Sequence, residues 1–414
     1  MQYFFSRYPK ATERLFEMLI PTTTWLIITL PIWLSPFHPA VVAYFILAFD
    51  VYFFYKSLTT TIFSTISYFK LKKLSQIDWL SRTKKLNNFS KVHQAIIITN
   101  YKETIDKVRI TIQRLADQDF PLKRMFIFLA MEEREGQEAK ERAKQLISEF
   151  RKTFGYITAT FHPDLPGEIK GKASNSTWAA QLISRETRKQ KIDPNSVIIT
   201  SCDADSLLPQ KYFSYLTYMF LTDSERYYHF YWAPVLLYSN FWEISLPIRI
   251  QATISSIARL ASLSKPDNLI QISTYSLSLK MLENIGYWDT DIIPEDWHIF
   301  LQAFFTLGER VKTLPIYLTV TRDAVNSNNM FNTFKSRYEQ EKRWAWGITD
   351  VPYALKKFFD SKSIPFLPKL FRVFYVVETH LFWPTSFFIL TLGASIPALV
   401  NPAFSRTTLG HNLP

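Results

Sequence analysis

Ser196-Val197-Ile198-Ile199-Thr200-Ser201-Cys202-Asp203-Ala204-Asp205-Ser206 is the stretch whose reading decides the fold. Its β-branched and apolar run reads as a buried strand. The run ends in two carboxylates separated by one residue. Side chains alternate along an extended chain, so Asp203 and Asp205 leave the backbone on the same side. Two aligned carboxylates at a strand end make a hard-oxygen site suited to Mg²⁺ or Mn²⁺, with coordination positions left for phosphate oxygens. In open α/β sheets, ligands gather beyond the carboxyl ends of the strands. Standing alone, the same letters describe a turn with solvated acids. The surrounding chain has to separate the two readings.

Working outward, residues 92–325 alternate strands and helices. Residues 93–99, 124–130 and 157–161 are predicted strands. Residues 106–115, 137–154 and 173–183 have helical spacing, and a further helix begins at 296. An aromatic-rich stretch, 227–238, reads as another strand feeding a membrane-facing segment. Repeated β-α-β predicts an α/β fold with a mostly parallel sheet covered on both faces.

Composition narrows the class. The chain has 414 residues but only 9 Gly, which nearly excludes Gly-rich phosphate loops, and neither G-x-G-x-x-G nor a Walker run occurs. The lone Cys202 excludes an intrachain disulfide or a Cys-based zinc site and reads as a small buried residue in a reducing compartment. Aromatics reach 16%, which fits membrane interfaces. Residues 18–49 contain no Asp, Glu, Lys or Arg, and Ser35-Pro36-Phe37-His38-Pro39 splits the run. Two spanning helices are expected, near 18–35 and 39–60 within a segment 18–64. Lys70, Lys72, Lys73, Arg82, Lys84, Lys85 and Lys91 follow them, whereas the hairpin has no Lys or Arg. The positive-inside rule then puts residues 1–17 and the large middle region in the cytoplasm of an integral protein of the plasma or inner membrane. The net charge of +12 clusters beside these segments, and no nucleic-acid module is recognised, so nucleic acid is not an expected partner. A basic linker is expected at 65–91, a catalytic domain at 92–330 and interfacial amphipathic helices at 331–365. A third span, near 379–400, and a short tail complete 366–414.

Four further pieces give the carboxylates a context. They are Asn100-Tyr101-Lys102-Glu103, Lys170-Gly171-Lys172-Ala173-Ser174-Asn175, Pro294-Glu295-Asp296-Trp297 and Gln340-Glu341-Lys342-Arg343-Trp344. In this order, together with Asp203-Ala204-Asp205, they resemble the membrane-embedded family-two glycosyltransferases, the group of cellulose synthase, hyaluronan synthase and ceramide glucosyltransferase. The likeness spans roughly residues 15–400.

That resemblance implies a GT-A-type nucleotide-sugar domain on interfacial helices. Asp203 and Asp205 would hold the donor's diphosphate and a Mg²⁺ or Mn²⁺ ion. Asp296 would be the general base, and Glu295 structural. A single base with in-line displacement implies inversion at the anomeric carbon. Gln340, Arg343 and Trp344, at i, i+3 and i+4, are expected on one helix face. Gln340 and Arg343 would grip the diphosphate, with Arg343 catalytic beside Asp205 and Asp296. Trp344, and with it Trp297, would receive the acceptor. Tyr101 and Glu103 match the positions that hold the nucleotide, and Lys172 with Asn175 those near the diphosphate. Glu132 stands where the family has an Asp that binds uracil, a departure that bears on base identity.

The expected reaction is inverting transfer from a UDP-linked sugar to a growing polysaccharide at the cytoplasmic membrane face. Single transfer to a lipid is the alternative. A membrane subunit that keeps the fold without catalysis is a third reading, and an additional membrane subunit is a possible partner. Three spanning helices are few for extruding a long chain, which leaves open a fragment or a non-processive member.

Overall fold

The computed structural model describes residues 8–327 and 329–411. The chain forms two compact units, one made of the residues up to Thr61 together with Gly347 onward, the other of Ile62–Trp346. Residues 1–7 of the expected N-terminal segment and 412–414 of the tail lie outside the described residues.

Helix α1 (Pro9–Leu34) starts well before the apolar run, with Pro at its first turn, where a missing N–H costs nothing. Helix α2 (Pro39–Ser75) outlasts its expected end at 60, because no Gly or Pro interrupts the chain before Ser75. The basic linker expected at 65–91 is therefore partly the end of α2. Its remainder is a short helix, α3 (Trp79–Lys84), and a 3₁₀ turn at Phe89–Lys91. Asp78 caps α3 by accepting from Ser81 N at 2.9 Å. Trp79 is buried and stacks on Tyr215 with ring centroids 3.9 Å apart. That packing makes the segment part of the second unit.

The second unit continues as β1 (His93–Thr99), α4 (Ile105–Ala116), β2 (Met125–Glu132), α5 (Gln137–Phe150), β3 (Tyr156–His162), α6 (Lys172–Lys189) and β4 (Val197–Asp203). Next come α7 (Tyr212–Thr222), β5 (His229–Trp232), β6 (Val235–Leu236), α8 (Leu246–Ser262), β7 (Tyr275–Ser278) and α9 (Leu279–Ile285). It closes with α10 (Glu295–Leu307), β8 (Lys312–Pro315), β9 (Val320–Thr321) and α11 (Met330–Ala345). The single strand expected at 227–238 is two, interrupted at Ala233-Pro234, where proline has no N–H for the ladder.

Seven strands pair in the order β3-β2-β1-β4-β7-β5-β8, with β6 and β9 in a separate two-stranded sheet. Strands β1 to β4 are parallel, and β7 runs against both of its neighbours. The mostly parallel sheet read from the sequence is thus present. Strand β2 is buried along its whole length, as a sheet covered on both faces requires. Cys202 is fully buried. The strand order reverses at β1, which has β2 on one side and β4 on the other, and such a switch point opens a crevice at the strands' carboxyl ends.

In the first unit, α12 (Asp350–Asp360) and α13 (Phe366–Leu392) join α1 and the beginning of α2. Three helices, Pro9–Leu34, Pro39–Ser75 and Phe366–Val400, are long and apolar enough to cross a membrane. The third begins earlier than the expected 379, because the polar groups in its first half find partners inside this unit. Lys369 donates to Phe358 O at 3.2 Å, and Glu378 pairs with Lys56 at 2.5 Å and accepts from the Tyr52 hydroxyl.

Candidate active site

The site grows from the carboxyl edge of the parallel strands. Register places Thr99 beside both Ala130 and Asp203, and Glu132 beside His162. Residues just past these positions therefore share one rim. Asp203 closes β4, and Asp205 follows in the turn.

Two cations grip this carboxylate pair. Lys172, the first residue of α6, places Nζ 2.7 Å from Asp203 Oδ1, 2.8 Å from Glu295 Oε1 and 2.8 Å from Ser273 O. Arg322, just after β9, reaches Asp203 Oδ2 with Nη1 at 3.0 Å and Asp205 Oδ2 with Nε at 3.1 Å. The planar fork of a guanidinium suits such bridging. Burial opposes the Lys172 charge, but Asp203 and then Glu295 outweigh it and hold its pKa well above the ordinary lysine value. Burial likewise works against the Asp203 charge, yet Lys172 and Arg322 carry that carboxyl well below the usual range. Asp205 goes the other way: its burial exceeds what Arg322 returns, and its pKa is raised.

Ser273 ties the third carboxylate into the group. Its Oγ donates to Asp203 Oδ2, and its backbone N donates to Asp296 Oδ2 at 2.9 Å. Ser273 holds φ at +64°, a left-handed conformation uncommon for a residue with a Cβ and found where surrounding contacts over-determine the backbone. Asp296 is the second residue of α10. Its Oδ1 accepts from Trp297 N at 2.9 Å, and Gln271 Nε2 holds its backbone carbonyl at 3.0 Å. Burial raises the Asp296 pKa against the opposing pull of Lys172. Burial also lifts Glu295 to about 7, with Lys172 opposing and Asp296 adding to the shift.

The donor set decides whether Mg²⁺ or Mn²⁺ fits. Both Asp203 oxygens are engaged, while Asp205 Oδ1 takes no hydrogen bond among the described residues. Among the described residues no group of three or more His, Cys, Asp or Glu forms a complete cage. One or two carboxylates completed by phosphate oxygens and water is the usual protein share of a Mg²⁺ site, so the residues fit the ion in that form.

Helix α11 distributes its side chains differently from the expected pattern. Arg337, Gln340, Glu341 and Trp344 follow i, i+3, i+4 and i+7 and make one stripe. Arg337 donates to Gln340 and Glu341, and its guanidinium lies 4.8 Å from the centre of the Trp344 ring. Gln340 and Trp344 line a narrow cleft with Arg259, Arg322 and Arg337. Arg343 is not among the lining residues and is exposed. It stands about 60° around the helix from Gln340 and about 100° from Trp344, enough to turn it toward solvent. The expected single face for Gln340, Arg343 and Trp344 does not form.

At the other side of the rim, Glu132 is buried and its pKa is raised by that burial. It lies 3.4 Å from Arg134 Nε and 3.7 Å from His162 Nδ1. With His162, Asp164, Glu168 and Lys170 it lines a small open pocket. Tyr101 stands exposed nearby, its ring 4.2 Å from the Arg134 guanidinium, and Glu103 pairs with Lys107 at 2.9 Å. Asn175 is buried and donates to Ala130 O at 2.9 Å, so it fastens α6 to β2. Trp297 is half-buried beside Asp296.

The structure therefore gathers Asp203, Asp205, Glu295, Asp296 and Lys172 into one network and sets Glu132 in a neighbouring pocket. Sequence reasoning missed Arg322, Ser273, Arg337 and His162. Only Arg322 left a trace, as a charge directly after the β-branched pair Val320-Thr321.

Comparison with known proteins places this geometry. A family model described as "Glycosyl transferase family group 2" matches residues 198–407. No curated protein matches the chain. Among solved structures, the mannosyltransferase PcManGT from Pyrobaculum calidifontis, in complex with GDP-Man and Mn²⁺, has a TM-score of 0.53 at 12% identity, over 89% of this chain and 94% of that one. The chain shares its fold. TarS 1–349 of S. aureus has a TM-score of 0.42 at 9% identity, over 77% of this chain and 86% of that one.

Proposed function

The chain belongs to glycosyl transferase family group 2, and from that premise we propose that it transfers a sugar, with inversion, from a nucleoside-diphospho-sugar to an acceptor hydroxyl at the cytoplasmic face of a membrane. The observation that carries the reading is the single network joining Asp203, Asp205 and Asp296 through Ser273 and Arg322. A glycosyltransferase needs one group for the leaving diphosphate and one for the acceptor proton, and this network supplies both within a few hydrogen bonds.

Asp296 acts as the base. Its two oxygens accept one backbone N–H each, which fixes the carboxylate and leaves lone pairs for the acceptor proton. The acceptor oxygen bonds to the anomeric carbon, its proton passes to Asp296, and the bond to the diphosphate oxygen breaks with the electron pair leaving on the nucleotide. Asp296 alone in this role supports inversion. A Mg²⁺ or Mn²⁺ ion held by Asp205 and Asp203 would supply positive charge for the departing diphosphate. Lys172 and Arg322 are the protein's own cations there, so the duty that the resemblance gives to Arg343 falls on them. The pocket around Glu132 takes the nucleotide base, with the buried carboxylate accepting from a ring N–H such as that of uracil, which favours a UDP-linked donor. The polysaccharide acceptor rests on the motif set, and the cytoplasmic face on the basic residues in the last turns of α2 and just after it.

The test is incubation of membranes containing the protein with a panel of radiolabelled UDP- and GDP-sugars and Mn²⁺ or Mg²⁺. Label is expected in a lipid extract or an insoluble polymer, dependent on Asp205 and Asp296. Label that stays in the water-soluble donor with every sugar would remove the transferase reading.

A further inference from the structure

The backbone around Arg322 is fastened on two sides. Thr321 and Leu207 form an antiparallel bridge, with Leu207 N donating to Thr321 O at 2.8 Å and Thr321 N to Leu207 O at 3.1 Å. The backbone N of Arg322 donates to Leu236 O at 2.9 Å. Residue 322 therefore runs beside the turn that carries Asp205. The side chain is the part with room to move. It is 23% exposed, and it lines the narrow cleft as well as joining the carboxylates.

That side chain sits on the oxygens a divalent cation needs. Nη1 and Nε take Asp203 Oδ2 and Asp205 Oδ2, while Lys172 takes Asp203 Oδ1. A guanidinium and a divalent cation on the same carboxylate pair repel each other at close range. The cleft offers Arg322 no other anion. Arg259 and Arg337 line it, and Asp323, the sole carboxylate among its lining residues, is exposed. Like charges behind it thus press the guanidinium onto Asp203 and Asp205. New negative charge is what draws it off, and a nucleoside diphosphate brings that charge. Nη2 of Arg322 makes no hydrogen bond among the described residues, which leaves a donor for a phosphate oxygen.

We propose that Arg322 is an exchangeable counter-ion: it neutralises Asp203 and Asp205 in the free enzyme, then yields their oxygens to the divalent cation as its own charge passes to the donor's diphosphate. Metal and donor then bind tightly only together, and by linkage each strengthens the other by the same factor. This role rests on the transfer reading of the carboxylates.

The experiment follows free Mn²⁺ by its electron paramagnetic resonance signal while the full chain, in neutral detergent micelles, is titrated with and without UDP or GDP. The unaltered chain is expected to bind Mn²⁺ weakly alone and at least about tenfold more tightly with its nucleotide. R322Q should bind Mn²⁺ alone about ten- to a hundredfold more tightly than the unaltered chain, the range for a charge-assisted hydrogen bond that no longer has to be given up. Its gain from nucleotide should shrink by the same factor. R322K keeps the charge but cannot bridge two carboxylates, and should fall between them. A purely structural Arg322 predicts the opposite sign, because its loss would loosen the carboxylates and weaken the ion. Equal or weaker Mn²⁺ binding in R322Q, or in R322K where melting shows R322Q unfolded, would overturn the exchange. Tight Mn²⁺ binding that persists when D205N is added to either variant would place the ion elsewhere and overturn it too. So would nucleotide binding without Mn²⁺ uptake in the unaltered chain, which would make Arg322 a permanent stand-in for the metal. An unaltered chain that takes up neither nucleotide nor Mn²⁺ would instead count against the transfer reading itself.

Discussion

Asp296→Asn separates chemistry from binding most cleanly. The carboxylate accepts from Ser273 N through Oδ2 and from Trp297 N through Oδ1, each at 2.9 Å. An asparagine has one oxygen, so one of these N–H groups loses its acceptor, at a cost of about 1–3 kcal/mol. Against that cost, the substitution removes a buried negative charge whose repulsion with Asp203 contributes to the raised Asp296 pKa. The two effects oppose, and the fold should survive with a change of about 1–2 kcal/mol. Catalysis has no such offset. Loss of a positioned general base removes about 10²–10⁴-fold of rate, or about 3–5 kcal/mol of barrier.

The assay pairs calorimetric nucleotide binding with release of nucleoside diphosphate during turnover. Binding should stay within about threefold, since Asp296 touches neither the base pocket nor Arg322, while turnover drops by at least about a hundredfold. The pH profile adds a second readout. Asp296 must be ionised to take a proton, and burial raises its pKa, so activity should climb with pH through a value above the ordinary carboxylate range. The asparagine enzyme should lose that acid limb. Turnover of the variant near the normal rate with the limb intact would refute the assignment.

Three other changes probe the network. Lys172→Met strands Asp203 and Glu295 without their shared cation and should destabilise the fold by about 3 kcal/mol, the lower end for a broken buried pair because the Lys172 side chain is 20% exposed; a lower thermal midpoint checks it. Glu295 has a folded pKa of about 7 against an ordinary 4.5, so the fold favours its neutral form. The stability from that preference is complete below about pH 4.5 and is lost as pH rises through about 7, at most about 3 kcal/mol. Glu295→Gln should therefore flatten the fall in melting temperature between pH 5 and pH 8, and an unchanged slope would count against it. Ser273→Gly and Ser273→Ala both remove the hydroxyl that binds Asp203, but only alanine keeps a Cβ at φ +64°; glycine should be the more stable by about 1 kcal/mol in melting experiments.

The letters foretold elements better than they foretold neighbours. Val197–Asp203 reads as a strand ending in acids because burial and alternation are local properties, and the strand lies there. Asp203, Asp205 and Asp296 were readable because their spacing resembles a known pattern. Ser273 was not, since its contribution depends on a left-handed backbone before a reversed strand, and neither leaves a local signal. Arg343 shows the limit of spacing arguments. Residues three apart are neighbours on a helix, yet the stripe that turns inward is chosen by the whole helix's packing, and here it begins at Arg337. Trp79 shows the same in the segment expected to be a linker, because its partner Tyr215 lies far away in sequence.

Charge balance at the carboxylates leads to a prediction about the metal. On the donor side, Asp203, Asp205, Glu295 and Asp296 face Lys172 and Arg322, four acids against two bases. When all are ionised, two negative charges remain, and a nucleoside diphosphate brings more. At hydrogen-bond range in a partly buried site such repulsion amounts to several kcal/mol, so the donor is expected to need a divalent cation there. Chelation should then abolish nucleotide binding, and added Mn²⁺ should restore it. Nucleotide binding that survives chelation undiminished would mean that Lys172 and Arg322 neutralise the diphosphate by themselves, and the charge count at the carboxylates would be wrong.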